Sequence, residues 1–180
     1  ELVGDTSVLV LDEDLHARQR RVLMPPLKRE RLGTFFEAMQ QETRAVCREW
    51  AAQGTVRADL AMQRITLRVI LRAVLGMEEG TVFDALEGSM GRMLRQSRNP
   101  LVLVLYTLFP PQRFRGAQWL PFYRLRRRFD DELYRHIAAA RALSPAARPA
   151  CLLTDLLATV HEDGSTMNDE EVRDAVVTIL

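Results

Sequence analysis

The stretch Leu11-Asp-Glu-Asp-Leu-His-Ala-Arg-Gln-Arg-Arg-Val-Leu-Met-Pro-Pro-Leu27 holds the residues with the most evident chemistry. His16 and Arg20 stand four apart, a spacing that puts both side chains on one face of a helix. Arg presents a fork of N–H donors matched to a carboxylate, and His can donate to a second one. The pair therefore suits a ligand with two carboxylate arms. The same residues also read as a solvated basic face with a histidine beside it, since cations four apart are common on exposed helices.

The remaining candidates point to structure. Cys47 and Cys151 lie far apart and neither belongs to a C-x-x-C pair, so no zinc site, disulfide framework or other metal site is expected. Cys47, next to Val46 and near Trp50, reads as a small packing residue. Cys151 stands at a helix start, where a thiolate is favoured, but has no neighbour that suggests a redox role. His136 and His161 each lack a second ligand at i+3 or i+4 and are expected to be structural. Two E-x-x-R matches, Glu132 to Arg135 and Glu170 to Arg173, read as surface pairs. No residue of the chain is put forward as catalytic.

Composition bounds the class. A chain of 180 residues can bury a sizeable core as one domain, and 47% apolar with 27% charged residues is ordinary for a folded protein. The net charge of +1 gives the whole no strong preference for nucleic acid or an anionic membrane. Charge is nevertheless uneven: residues 1–15 hold only acids, residues 16–32 hold Arg18, Arg20, Arg21, Lys28, Arg29 and Arg31 against Glu30, and Arg124 to Arg128 is basic again. The first residues are acidic where a signal peptide needs cations, and the longest apolar run, Leu101 to Phe109, is about half of a membrane span. A cytoplasmic protein without a membrane span is expected. The start without Met and the apolar end Ala175-Val-Val-Thr-Ile-Leu180 read as a sequence cut at both ends.

Helical periodicity runs through almost the whole chain. Asp12 is a candidate N-cap for a helix to about Met24, stopped by Pro25-Pro26. Further helices are predicted over Glu30 to Ala52, closed by Gly54, and over Asp59 to Leu75, closed by Gly76. The second of these is apolar on so many sides that burial all round is expected. A weaker helix follows at Thr81 to Ser97, then a Pro-punctuated mobile connection, Asn99 to Pro121, and helices at Phe122 to Leu143 and Ala150 to His161. Arg126 to Arg128 is expected to be a solvated face of the first of that pair. After the polar turn Glu162-Asp-Gly-Ser165, Asn168 and Glu171 have the spacing of a capping box that opens the last helix. No period-two pattern is long enough to build a sheet, so the fold class is all-α.

Taken in order, these segments resemble part of a bacterial cytochrome P-450, a haem-thiolate monooxygenase. The acidic turn, H-x-R-x-R, apolar triplet and Pro-Pro at residues 12–26 are similar to that family's helix C, and Gly4-Asp-Thr-Ser-Val-Leu-Val10 to the loop before it. Gln63 to Gly76 resembles helix E, while Leu152 to Leu157, the following turn and Asn168 to Asp174 resemble helix H and the start of helix I. The resemblance implies that residues 1–180 are part of a single cytochrome P-450 domain. It also implies that His16 and Arg20 bind the propionates of haem b in the intact enzyme. The implied reaction inserts an oxygen atom of O2 into a small apolar organic substrate, with electrons from a ferredoxin or reductase. A basic helix face with Arg18 and Arg21 is then expected to meet an acidic electron donor, and Leu101 to Phe109 to belong to a substrate lid.

The departures from the family pattern matter as much. F-x-x-G-x-x-x-C is absent, because Gln40 and Ser144 stand seven before the two cysteines, and A-G-x-x-T is absent too. The 180 residues thus resemble a helical fragment without the C-terminal haem-ligand half, expected to be inactive alone and to expose apolar patches. The alternatives are an all-α ligand-binding or DNA-binding regulator and an inactive truncated reading frame. The regulator would need a recognition helix, and residues 11–32 break at Pro25-Pro26.

Overall fold

The computed structural model describes residues 7–8, 11–25, 29–97, 100, 104, 108, 121–161 and 164–179. Among these, the regular elements are helices: α1 (Glu13–Leu23), α2 (Arg29–Gln53), α3 (Ala58–Leu75), α4 (Thr81–Ser97), α5 (Pro121–Ala142), α6 (Leu152–Ala158) and α7 (Asp169–Ile179). A 3-10 turn, Pro145–Ala147, precedes α6, and the only extended pairing among the described residues is one bridge between Val160 and Thr166. The all-α expectation holds. Most of the connection from Asn99 to Pro121, including the bulk of Leu101 to Phe109, lies outside the described residues, as does most of the loop before α1.

Local chemistry sets the helix ends. Gly54 and Gly76 close α2 and α3 in the left-handed region, at φ 72° and 64°, as their positions after the last apolar turns predict. The Gly76 N–H bonds the Arg72 carbonyl at 3.0 Å and the Met77 N–H bonds that of Leu71 at 3.2 Å. A Cβ at Gly76 would also meet Cys151 Sγ at 2.8 Å, so this glycine admits a close approach as well as a turn. At the start of α7 the capping box is complete: the Glu171 N–H donates to Asn168 Oδ1 and the Asn168 N–H to Glu171 Oε2, both at 2.9 Å.

Two expected ends differ. Asp12 is extended at the N-cap position of α1 but makes no side-chain cap bond. Glu13 enters that helix at φ 45° rather than in helical geometry, so the first amides are not presented to Asp12 in the usual way. The helix expected over Ala150 to His161 spans only Leu152–Ala158. The β-branched Thr159 and Val160 continue as extended chain, and the His161 N–H bonds the Ser165 carbonyl at 2.7 Å instead of a helical partner.

The chain divides into two compact units, one formed by Glu1–Glu78 with Tyr134–Leu180 and the other by Glu79–Leu133. In the first, α2 packs on α3, α3 on α6, and α6 on α7. Leu71, Leu75, Leu152, Leu156, Val172 and Val176 are fully buried there. Burial of α3 is strong from Leu67 onward, but Leu60 and Met62 at its start remain exposed, so the all-round burial expected of this helix holds only for its second half. Between α2 and α3 the Glu42 carboxylate, 2% exposed, accepts from the guanidinium groups of both Arg68 and Arg72. In the second unit Phe83, Leu86 and Met90 of α4 and Leu125, Phe129 and Leu133 of α5 are buried at helical spacing. Arg127 and Arg128 face solvent as expected, and Arg126 pairs with Asp130 at 3.5 Å.

Several single residues settle otherwise than their spacing suggested. Cys47 is exposed on α2, not packed; Cys151 is buried against Gly76. Arg173 is buried and bonds Asp174 Oδ1 at 2.8 Å, so the second E-x-x-R match is no surface pair. His136 Nε2 sits 2.8 Å from the Leu75 carbonyl and His161 is buried beside Glu171, structural positions in both cases. The buried Ser7 hydroxyl lies 2.6 Å from that of Thr178 in α7. Thr178 gives its one proton to the Asp174 carbonyl, also at 2.6 Å, so Ser7 is the donor between the two hydroxyls.

Candidate functional site on helix α1

The face that carries the candidate site follows from helix periodicity. Positions 16, 19, 20 and 23 recur on one side of α1. Leu23 is buried, Gln19 is 7% exposed, His16 is half-buried, and Arg20 is exposed at the rim. His16 and Arg20 are thus one turn apart on a partly enclosed face, as their spacing predicts.

Arg18 and Arg21 differ from these two in having partners. Arg21 Nε donates to the Ala17 carbonyl at 3.4 Å, and Arg18 is engaged within the chain as well. Neither the His16 nor the Arg20 side chain has a hydrogen bond or ion pair among the described residues. Their donors are available to something else. Sequence reasoning passed over Gln19. Its side-chain Nε2 is buried and has no hydrogen-bond partner. The signal was its place three residues after His16 and directly before Arg20, where a polar side chain on the buried edge of a face calls for a partner.

The other sequence candidates do not join this group. Cys47 lies on α2 and Cys151 at the head of α6, while His136 and His161 hold structural positions in α5 and in the turn before α7. No cluster of three or more His, Cys, Asp or Glu side chains among the described residues could hold a metal ion. No described helix is long and apolar enough to cross a membrane.

Comparison with known proteins gives this arrangement a context. A family model described as Cytochrome P450 matches residues 2–180. The chain is 32% identical over 182 residues to cytochrome P450 135B1 of Mycobacterium bovis, covering 99% of this chain and 37% of that protein. It is 30% identical over 179 residues to cytochrome P450 135A1 of Mycobacterium tuberculosis, covering 99% and 39%. Among solved structures, retinoic acid bound cyanobacterial CYP120A1 superposes with a TM-score of 0.72 at 18% identity, over 97% of this chain and 37% of that one. The chain therefore spans somewhat more than a third of the length of the relatives it matches.

Members of this family bind haem, whose two propionates are carboxylate arms. Two donors of α1 fit such a group: an exposed guanidinium and a half-buried imidazole one turn apart, neither with a side-chain partner among the described residues. The two remaining thirds of the relatives' length have no counterpart here, and F-x-x-G-x-x-x-C is absent from this sequence. Helices in this order, matched by the family model from residue 2 to residue 180, assign the chain to the cytochrome P450 family.

Proposed function

We propose that the 180 residues are part of one cytochrome P450 domain. The polypeptide that carries them is a monooxygenase of the cytoplasm, which inserts one atom of O2 into a small apolar organic substrate. A ferredoxin or reductase supplies the electrons. Bound haem supplies the oxygen-activating chemistry, with its thiolate ligand coming from outside these residues.

The role of this chain in that reaction is to hold the cofactor's acidic edge. Arg20 carries a permanent charge and a planar fork, so it fixes a propionate in position as well as neutralising it. His16, one turn away and half-buried, donates to the second arm and limits water there. Arg18 and Arg21 are exposed on the same helix, so an acidic electron donor would be drawn toward α1. The observation that carries this reading is that His16 and Arg20, on one face of α1, have no side-chain partner among the described residues.

Replacing Arg20 by Ala in the whole polypeptide is expected to weaken haem retention about 10- to 100-fold, the worth of one charge-assisted bond. Haem occupancy after gel filtration and the reduced CO spectrum read the effect, and unchanged values remove Arg20 from the site. The 180 residues by themselves are expected to hold no thiolate-ligated haem and to turn nothing over. A reduced CO band of the thiolate type from this chain alone overturns that statement.

A further inference from the structure

We infer that the hydroxyl pair Ser7–Thr178 is a positioning device for His16: it ties the residues before α1 to α7 and so sets where the imidazole of the first turn stands. This rests on the reading of His16 given above and adds to it two residues that act through the backbone.

Two observations lead to this assignment. The first is that α1 does not set its own beginning. Asp12 stands at the N-cap position without a side-chain cap bond, and Glu13 has φ 45°. A left-handed backbone is disfavoured for a residue with a Cβ, and it persists where neighbouring structure holds it there. The direction in which α1 leaves is therefore imposed from outside the helix. The second is a series of hydrogen bonds that reaches this junction from α7. Thr178 donates to the Asp174 carbonyl and Ser7 donates to Thr178 Oγ1, both at 2.6 Å, and Ser7 is fully buried. The Leu11 N–H bonds the Ser7 carbonyl and the His16 N–H bonds that of Asp12, both at 3.3 Å. Leu11 and Asp12 are neighbours, so a shift of Ser7 is passed to the turn that carries His16. Linked hydroxyls suit this task, because each gives one proton and takes another, which fixes a direction as well as a distance. Were packing all that was required, an Ala–Val contact would fill the space with no buried hydroxyl to satisfy.

The test uses the whole haem-loaded polypeptide and the variants Thr178→Val, Thr178→Ser, Ser7→Ala and His16→Ala. The propionate-bending band is followed by resonance Raman, haem transfer to excess apomyoglobin is timed, and the haem-free proteins are melted. Thr178→Val keeps the shape of the side chain and removes its hydroxyl. It is expected to shift the band and to speed haem release about 3- to 10-fold, the worth of one hydrogen bond. Thr178→Ser is expected to keep both at the parent values, and His16→Ala to shift the same band. A Thr178→Val protein that melts lower with band and release unchanged would show a bond that only holds the fold, and the inference fails. A Thr178→Ser protein that behaves like Thr178→Val fails it too, since the hydroxyl is then not what matters. Should Thr178→Val not accumulate, Ser7→Ala, which removes the donor of the pair, takes its place with the same expected shift and the same ways to fail. A band moved by His16→Ala and not by Thr178→Val removes the hydroxyl pair alone; a band moved by neither removes the reading of His16 itself. One moved by Thr178→Val alone shows that the pair reaches the cofactor by another route, and this also overturns the inference.

Discussion

Helix α1 and the α2–α3 pair both carry arginines, and the two regions dispose of the charge in opposite ways. Arg68 and Arg72 converge on Glu42, which is buried between the helices and accepts from both. Arg20 is exposed on a partly enclosed face and meets no acid among the described residues. The difference separates two uses of one residue type. A guanidinium paired inside the chain fixes how helices pack; one without a partner among the described residues keeps its donors free, which is what the reading proposed for Arg20 requires.

That contrast can be broken first at Glu42. Removing this carboxylate by Glu42→Ala leaves two guanidinium groups facing each other in a largely dry interface. The expected loss is about 3–5 kcal/mol in guanidinium melts of the polypeptide that carries this chain. A loss under about 1 kcal/mol would mean that water reaches the pair and that the triad does not set the packing of α2 on α3.

A middle case sharpens the comparison. The reciprocal bonds between Asn168 and Glu171 are internal like those of Glu42, yet exposed. Asn168→Ala is expected to cost about 1 kcal/mol, read as a lower denaturation midpoint. Adding Glu171→Ala should then cost less than it does alone, because the two side chains form one unit. Strict additivity would show that they act separately. At the small end stands Arg20→Ala, which in the haem-free polypeptide is expected to change stability by less than about 0.5 kcal/mol. A larger loss would reveal a structural partner and bring Arg20 into the same class as Arg68.

How much of this was open to a reader of the sequence depended on the range of the interaction. The capping box at Asn168, the glycine closures at Gly54 and Gly76 and the shared face of His16 and Arg20 are all settled within one or two helical turns, so residue type and spacing suffice. The Glu42 triad joins residues 26 and 30 positions apart, and nothing local distinguishes Glu42 from the other acids of an amphipathic helix. Cys47 illustrates the converse: flanked by Val46 and near Trp50, it turns out to lie outside the buried stripe by one position. Arg173 was read through its partner three residues before, whereas burial gave it the acid next door. Gln19 was missed because a glutamine in an arginine-rich helix looks solvated until its burial is known.

Ser7 and Thr178 are separated by 171 positions, so their bond can form only when almost all of this stretch has left the ribosome. Contacts that span so much chain come late, since the entropy of closure is lost before the bond returns anything. The turns that put His16 and Arg20 on one face are local, so α1 is expected to form before this bond closes.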